Sequence, residues 1–118
     1  MRISDVSRET HLPISTLRYY ERRGILQPNR NVQGYREYSE QDMQWIAFVQ
    51  RVLEIGMPLR DIEQYAQLRR HGDSTIVERL SMLDAQRAVL QEQLAHIQGE
   101  IAYLDSKISI YHDSLSKH

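Results

Sequence analysis

The 118-residue chain is predicted to be mainly α-helical: a small helical head carrying one β-hairpin, followed by a single long helix. Three observations predict this. Apolar residues recur at alternating spacings of four and three from Ile76 to Leu115. Capping residues and glycines punctuate four shorter helical segments ahead of that run. A stretch with strand and turn chemistry, centred on Gly34, interrupts the helical pattern at about residues 29–38.

The long helix is the loudest signal. Ile76, Leu80, Leu83, Leu90, Leu94, Ile97, Ile101, Leu104, Ile108, Tyr111 and Leu115 fall on one seven-residue grid, with Arg87 the one polar intruder. A repeat held this long marks a supercoiled helix whose apolar stripe faces another helix. The chain has no second helix of comparable length, so a second copy is the expected partner. Leu80, Leu83, Leu90, Leu94, Ile97, Ile101, Leu104 and Ile108 are the expected dimerisation residues. A helix from about Thr75 to Asp113 would be roughly 55–60 Å long at ~1.5 Å per residue. Arg87 on the seam would set register, or lay its stem over apolar surface while its guanidinium reaches solvent.

Composition narrows the classes. Length supports one small domain plus the helix. No apolar run is long enough to span a bilayer, and MRISDVSRET lacks a signal region, so a cytoplasmic protein is expected. The absence of cysteine removes disulfides, thiolate metal sites and thiol sensing together. The net charge of −1 hides a division: residues 1–70 carry 11 Arg against 9 Asp/Glu, and residues 71–118 carry 4 Lys/Arg against 7. Residues 1–38 hold 7 arginines against 4 acids, so an anionic partner is expected at the N-terminal part.

Ser4 is placed to cap a first helix over Asp5–Thr10, with Val6 inward. His11-Leu12-Pro13 makes a turn, and Pro13 presets the start of a second helix, Ile14 to Arg23, which Gly24 stops. Two short helices joined by a three-residue turn outline a helix-turn-helix. The hairpin, or wing, follows at about residues 29–38. Ser39 and Asp42 form a capping box that opens a third helix to about Ile55, ended by Gly56. Met57-Pro58 opens a fourth, and Gly72-Asp73 breaks it. Thr75 with Glu78 is read as a second capping box, at the start of the long helix. The expected division is residues 1–72 as head and 73–118 as coiled coil with a short tail.

Arg18, Tyr19, Tyr20, Arg22 and Arg23 crowd the second helix, and Ser15 and Thr16 occupy its first turn. A helix fits the DNA major groove, where arginine bonds guanine edges and tyrosine hydroxyls bond phosphate oxygens. The first turn is the part that reaches bases in helix-turn-helix docking. The wing adds Arg30, Tyr35, Arg36 and Tyr38, suited to the backbone beside the groove. The competing readings are local: Arg18 as a solvated arginine paired with Glu21, one of Tyr19 and Tyr20 packed on the core, and Arg36 and Tyr38 merely covering the hairpin.

Thr16-Leu17-Arg18-Tyr19-Tyr20-Glu21, then Gly24-Ile25-Leu26, then Gly34-Tyr35-Arg36-Glu37-Tyr38-Ser39 with Asp42, resembles the MerR family of bacterial transcription regulators. Gly56-Met57-Pro58-Leu59-Arg60-Asp61-Ile62 is similar to that family's segment between the third and fourth helices. The resemblance runs over about residues 1–70, and the long C-terminal helix also fits. It implies a winged helix-turn-helix domain followed by a C-terminal dimerisation helix, paired as an antiparallel coiled coil in a homodimer. It further implies a palindromic operator in an over-long promoter spacer, bent and untwisted so that RNA polymerase engages both promoter elements. Arg18, Tyr19, Tyr20, Arg36 and Tyr38 would touch DNA, and Arg60 would touch the backbone from the start of the fourth helix.

Four positions depart from the family pattern: His11 replaces the glycine of the turn, Pro13 a Ser/Thr cap, Ser15 an arginine, and Pro58 a serine cap. His11 therefore needs a left-handed backbone or a modified turn. The chain is most like the short aldehyde- or nitrosative-stress-type relatives, but Arg51 stands where they carry a lone cysteine. In the family the fourth helix meets the partner's coiled-coil end, which makes Arg51, Tyr65, Tyr111 and His112 candidates for an effector cleft; alternatively the two tyrosines only pack the joint. His96, Glu100, His112, Asp113 and His118 suggest metal binding less well than a solvated helix flank, since three or four convergent ligands are needed. No metal or cofactor is expected.

No nucleophile–base pattern, phosphate-cradling glycine loop or HExxH is present, and the chain is not read as an enzyme. Two rivals to a DNA-binding regulator remain. One is an architectural or recombination-directionality DNA protein without inducer, against which the long helix argues. The other is a coiled-coil adaptor whose head binds protein, which salt titration would separate.

Overall fold

The computed structural model describes all residues, Met1–His118, and divides into two compact units, Met1–Met82 and Leu83–His118. The first unit holds α1 (Ile3–Thr10), α2 (Ile14–Arg22), β1 (Asn29–Arg30), β2 (Arg36–Glu37), α3 (Glu40–Ile55), α4 (Leu59–Arg70) and a 3₁₀ turn, Asp73–Thr75. It also contains the first turns of α5, which runs from Ile76 to Ser116. This is a mainly α, winged helix-turn-helix head with a long C-terminal helix, as the sequence predicts. No helix is long and apolar enough to cross a membrane.

Local chemistry sets most of the element ends. Gly24 (φ 76°) and Gly56 (φ 112°) adopt the left-handed conformation that stops α2 and α3. Ile25 N–H returns to Tyr20 O at 2.9 Å, and Met57 N–H to Val52 O at 2.9 Å, so the last carbonyls stay bonded. Ser39 Oγ accepts from Asp42 N–H at 3.1 Å while Asp42 accepts from Ser39 N–H at 2.9 Å, the expected capping box.

Three ends differ from expectation. α1 begins at Ile3 rather than Asp5, because Asp5 reaches back to accept from Arg2 N–H at 3.1 Å and makes Ser4 part of the helix. α2 ends at Arg22, with Arg23 already in its cap. Thr75 does not cap α5: its hydroxyl is turned toward the carbonyls of Leu68 (2.5 Å) and Gly72 (2.9 Å). It closes the α4–α5 turn instead, and Arg79 ties into the same turn through Thr75 Oγ1 (3.1 Å) and Gly72 O (3.0 Å). With Met82 also packed on the core, the compact unit continues past Gly72 into α5.

His11 takes the left-handed conformation (φ 60°, ψ 19°) in the turn between α1 and α2, where glycine is the usual solution. Ser7 Oγ to Leu12 O (2.5 Å) and Thr10 Oγ1 to Val6 O (2.7 Å) hold that turn. The core beneath it is Val6, Leu17, Ile25, Ile46, Val49 and Ile62, each essentially sealed from solvent. Residues at heptad spacing in the second unit, from Leu83 through Leu115, are between 36% and 71% exposed, and no residue of α5 is buried.

Candidate nucleic-acid interface

Side chains of α2 fall on two faces. Leu17 and Tyr20 turn inward, whereas Ser15, Arg18 and Arg22 are exposed along one stripe at helical spacing. Thr16 and Tyr19 lie at the margin. Tyr19 is held from the C-terminal side: Arg23 Nη1 donates to its hydroxyl at 2.8 Å, and the guanidinia of Arg22 and Arg23 lie 5.8 and 5.6 Å from its ring centre. Arg23 also pairs through Nε with Glu63, binding α2 to α4, and that hydrogen bond favours its charged form further.

The wing is anchored to α2 by one carboxylate. Strand register sets Arg30 opposite Arg36, two like charges facing across the hairpin. Glu21 answers both: Arg36 Nε donates to its Oε2, and Arg30 Nη2 lies 4.0 Å from its Oε1. At the tip, Asn31 Oδ1 accepts from Gln33 and Tyr35 N–H, both at 3.0 Å, and Gly34 (φ 85°) completes the turn.

Met1 runs beside the strand exit, with Tyr38 N–H donating to Met1 O at 2.7 Å and the terminal ammonium to Tyr38 O at 2.8 Å. This carries Arg2 to 5.1 Å from the Tyr35 ring centre. A cleft of about 260 Å³ results, lined by Arg2, Ile3, Ser4, Arg18, Tyr35 and Arg36. It draws on α1, α2 and the wing and holds three guanidinia and two hydroxyls, of Ser4 and Tyr35, with no acid in its lining. Neither Arg2 nor Arg18 is paired with a carboxylate. Such a cradle suits a phosphate oxygen.

Of the residues expected at DNA, Ser15, Thr16, Arg18, Tyr35 and Arg36 lie on or beside this face, and Arg60 is exposed at the start of α4. Two are placed otherwise. Tyr38, just past β2, is 2% exposed within the core cluster, and its hydroxyl is sealed with no partner. Tyr20 is 8% exposed and packs beside Leu17 in the core. Tyr38 is a buried support of the face, whereas Tyr20 packs its ring on the core and its hydroxyl still reaches solvent; burial raises both phenol pKa values above the usual range, with neighbouring Tyr19 adding to the rise at Tyr20. Sequence reasoning missed Arg2 and Ser4; only the pairing of Met1 with Tyr38 brings them in.

Of the expected effector residues, Arg51 and Tyr65 belong to the first unit and Tyr111 and His112 to the second. Tyr65 is buried in a ring stack with Trp45 and Phe48. Arg51 is exposed and lies 3.8 Å from Glu54 on its own helix. Tyr111 and His112 are exposed on α5 in the second unit. No three of the His, Asp and Glu side chains come together to hold a metal.

The architecture and the arginine-lined face define a winged helix-turn-helix head of the kind that docks on nucleic acid. The family model described as MerR HTH family regulatory protein matches residues 1–68, and the one described as MerR, DNA binding matches residues 43–107. The chain belongs to the MerR family of helix-turn-helix transcriptional regulators. An uncharacterized HTH-type transcriptional regulator of Haemophilus influenzae is 36% identical over 98 residues, covering 81% of this chain and 72% of the relative. AdhR, an HTH-type transcriptional regulator of Bacillus subtilis, is 36% identical over 93 residues, covering 78% of this chain and 66% of its own. Among solved structures, HiNmlR, a MerR family regulator lacking the sensor domain and bound to promoter DNA, superposes with a TM-score of 0.77 at 28% identity. That likeness covers 98% of this chain and 92% of HiNmlR.

Proposed function

We propose that the chain is a homodimeric, sequence-specific regulator of transcription that binds a palindromic operator and acts on promoter shape. The observation that carries this reading is the nearly full-length likeness to HiNmlR, a relative captured on promoter DNA. The cleft of Arg2, Arg18 and Arg36 supplies the matching chemistry, with α2 offering Ser15, Arg18 and Arg22 to a major groove. Relatives described as transcriptional regulators favour control of transcription over an architectural role.

Two copies would pair through the exposed α5 stripe of Leu80, Leu83, Leu90, Leu94, Ile97, Ile101, Leu104 and Ile108, antiparallel by family resemblance. The two heads then meet half-sites of one operator in the cytoplasm. Bending and untwisting the spacer between promoter elements would let RNA polymerase engage both, so that deformation carries the control. The signal is not a thiol reaction, since the chain has no cysteine.

Salt titration of binding to the inverted repeat beside the protein's own gene tests this. The expected outcome is a dimer whose log affinity falls linearly with log salt, with a slope of about −0.9 per phosphate neutralised. Salt-insensitive binding, or binding equal on unrelated duplex, rejects it.

A further inference from the structure

The C-terminal end of α2 is tied to α4 by two arginines, one from each helix. Arg23, the cap residue of α2, pairs through Nε with Glu63 on α4. Arg70, the last residue of α4, donates through Nη1 to Gly24 O at 2.6 Å. Only the first tie continues to a side chain beside the reading stripe. Arg23 donates from Nη1 to the Tyr19 hydroxyl oxygen at 2.8 Å, and its guanidinium carbon lies 5.6 Å from the centre of that ring.

Glu63 decides what Arg23 can do. It is the one carboxylate paired with Arg23, and Arg23 is its one cation. With Nε held by that carboxylate, the planar guanidinium has its remaining edge aimed at Tyr19. A phenol oxygen that accepts an N–H still carries its own hydrogen. Tyr19 donates that hydrogen to no group of the chain, and its half-buried ring lies at the margin of the stripe of Ser15, Arg18 and Arg22. A bond received from a cation polarises the O–H and strengthens it as a donor. It also leaves the proton directed away from Arg23, free for an acceptor outside the chain. At the edge of a groove that acceptor is a phosphate oxygen.

We infer that Glu63 is a positioning residue for DNA: by holding Arg23 it fixes the Tyr19 hydroxyl as a donor to one phosphate oxygen. This rests on the DNA reading and adds to it an acidic residue of α4 that itself touches no nucleotide. The consequence runs against simple electrostatics. Removing an acid from a head that meets phosphate ordinarily tightens binding. Removing Glu63 loosens it, because the hydroxyl loses its aim.

Anisotropy titrations of the full-length chain on the inverted repeat beside the protein's own gene test this. Tyr19→Phe should weaken binding by about tenfold, the loss of one hydrogen bond to a charged oxygen. Glu63→Gln should weaken it by a comparable factor although a negative charge has gone. The double variant should bind no more weakly than Tyr19→Phe alone, since both changes remove the same contact. Arg70→Gln is the comparison for a merely structural tie. It loosens the same helix ends without touching Tyr19, so its effect should multiply with that of Tyr19→Phe. Glu63 and Arg70 lie outside the core cluster, so these variants keep the fold. Glu63→Gln binding as tightly as the parent chain or tighter, a double variant whose losses multiply, or an Arg70→Gln coupled to Tyr19 as strongly as Glu63→Gln would each overturn the inference. In all three the parent chain still binds the repeat, so the DNA reading survives; a parent chain that does not bind it sinks both.

Discussion

Arg36 in the wing donates through Nε to the carboxylate of Glu21 on α2, the same carboxylate that stands 4.0 Å from Arg30. One acid thereby neutralises a cross-strand pair of like charges and fixes the wing's angle to the reading helix. The Arg36–Glu21 pair is mostly shielded, with side chains 32% and 23% exposed.

Glu21→Gln should keep the fold and lose no more than about 1 kcal/mol, the usual scale for such a pair near the surface. It should lower the ratio of operator to non-specific affinity, while non-specific affinity holds or rises because a negative charge has left the face. Anisotropy titrations on both duplexes measure the ratio; an unchanged ratio rejects the latch.

Arg18→Ala and Arg36→Ala should each weaken operator binding, by about 1–3 kcal/mol where a base contact is lost, with dimerisation intact. Arg2→Ala should act differently: a weakening that is uniform across sequences and a salt slope shallower by about one phosphate. Parent-like binding by all three would show that the 260 Å³ cleft is not a contact surface.

His11→Gly should stabilise the head by about 0.5–1 kcal/mol, since a residue with a Cβ pays roughly 1–2 kcal/mol in the left-handed region and glycine's chain entropy offsets part of the gain. Urea denaturation gives the value. A less stable variant would mean that the imidazole makes a contribution outweighing the strain.

Tyr38→Phe removes a buried hydroxyl that has no partner. Stability should rise by about 1 kcal/mol, the lower end of the cost of an unsatisfied buried polar group. The pH dependence follows from the direction of the shift. Burial raises the folded-state phenol pKa, so the fold holds the proton more tightly than the unfolded chain does. That contribution is complete below the unfolded value of about 10 and is lost as pH climbs through the folded one. The Phe variant should therefore lose less stability in alkaline melts than the parent. Parallel melting curves across that range would refute this.

Arg87 occupies the heptad seam and bonds Asp84 at 3.0 Å, both side chains being more than half exposed. Arg87→Leu should raise the dimer's melting temperature and admit more than one alignment of the paired helices. Disulfide trapping of cysteines introduced along α5 reads alignment. An unchanged melting temperature with a single register would count against a seam position.

The α5 helix was legible because its repeat is a property of adjacent turns. The Ser39–Asp42 box and the stops at Gly24 and Gly56 were legible for the same reason: the groups that satisfy them lie within five residues. The motif from Thr16 to Glu21 with Gly34 to Tyr38 marked the reading helix and wing. What neighbouring residues could not decide is which way a side chain turns once other elements arrive. Tyr19 and Tyr20 are adjacent and chemically equal, yet about 100° of helix rotation makes one a margin residue and the other core. Thr75 spaced as a cap became a turn closure because its hydroxyl donates to the Leu68 and Gly72 carbonyls while its oxygen accepts from Arg79 Nε. Arg2 reached the cationic cleft, and Glu21 both wing arginines, only through contacts between segments far apart in sequence. Spacing fixes what a segment can form by itself; placement across such gaps is chosen by the core, whose packing is a collective property of all the helices at once.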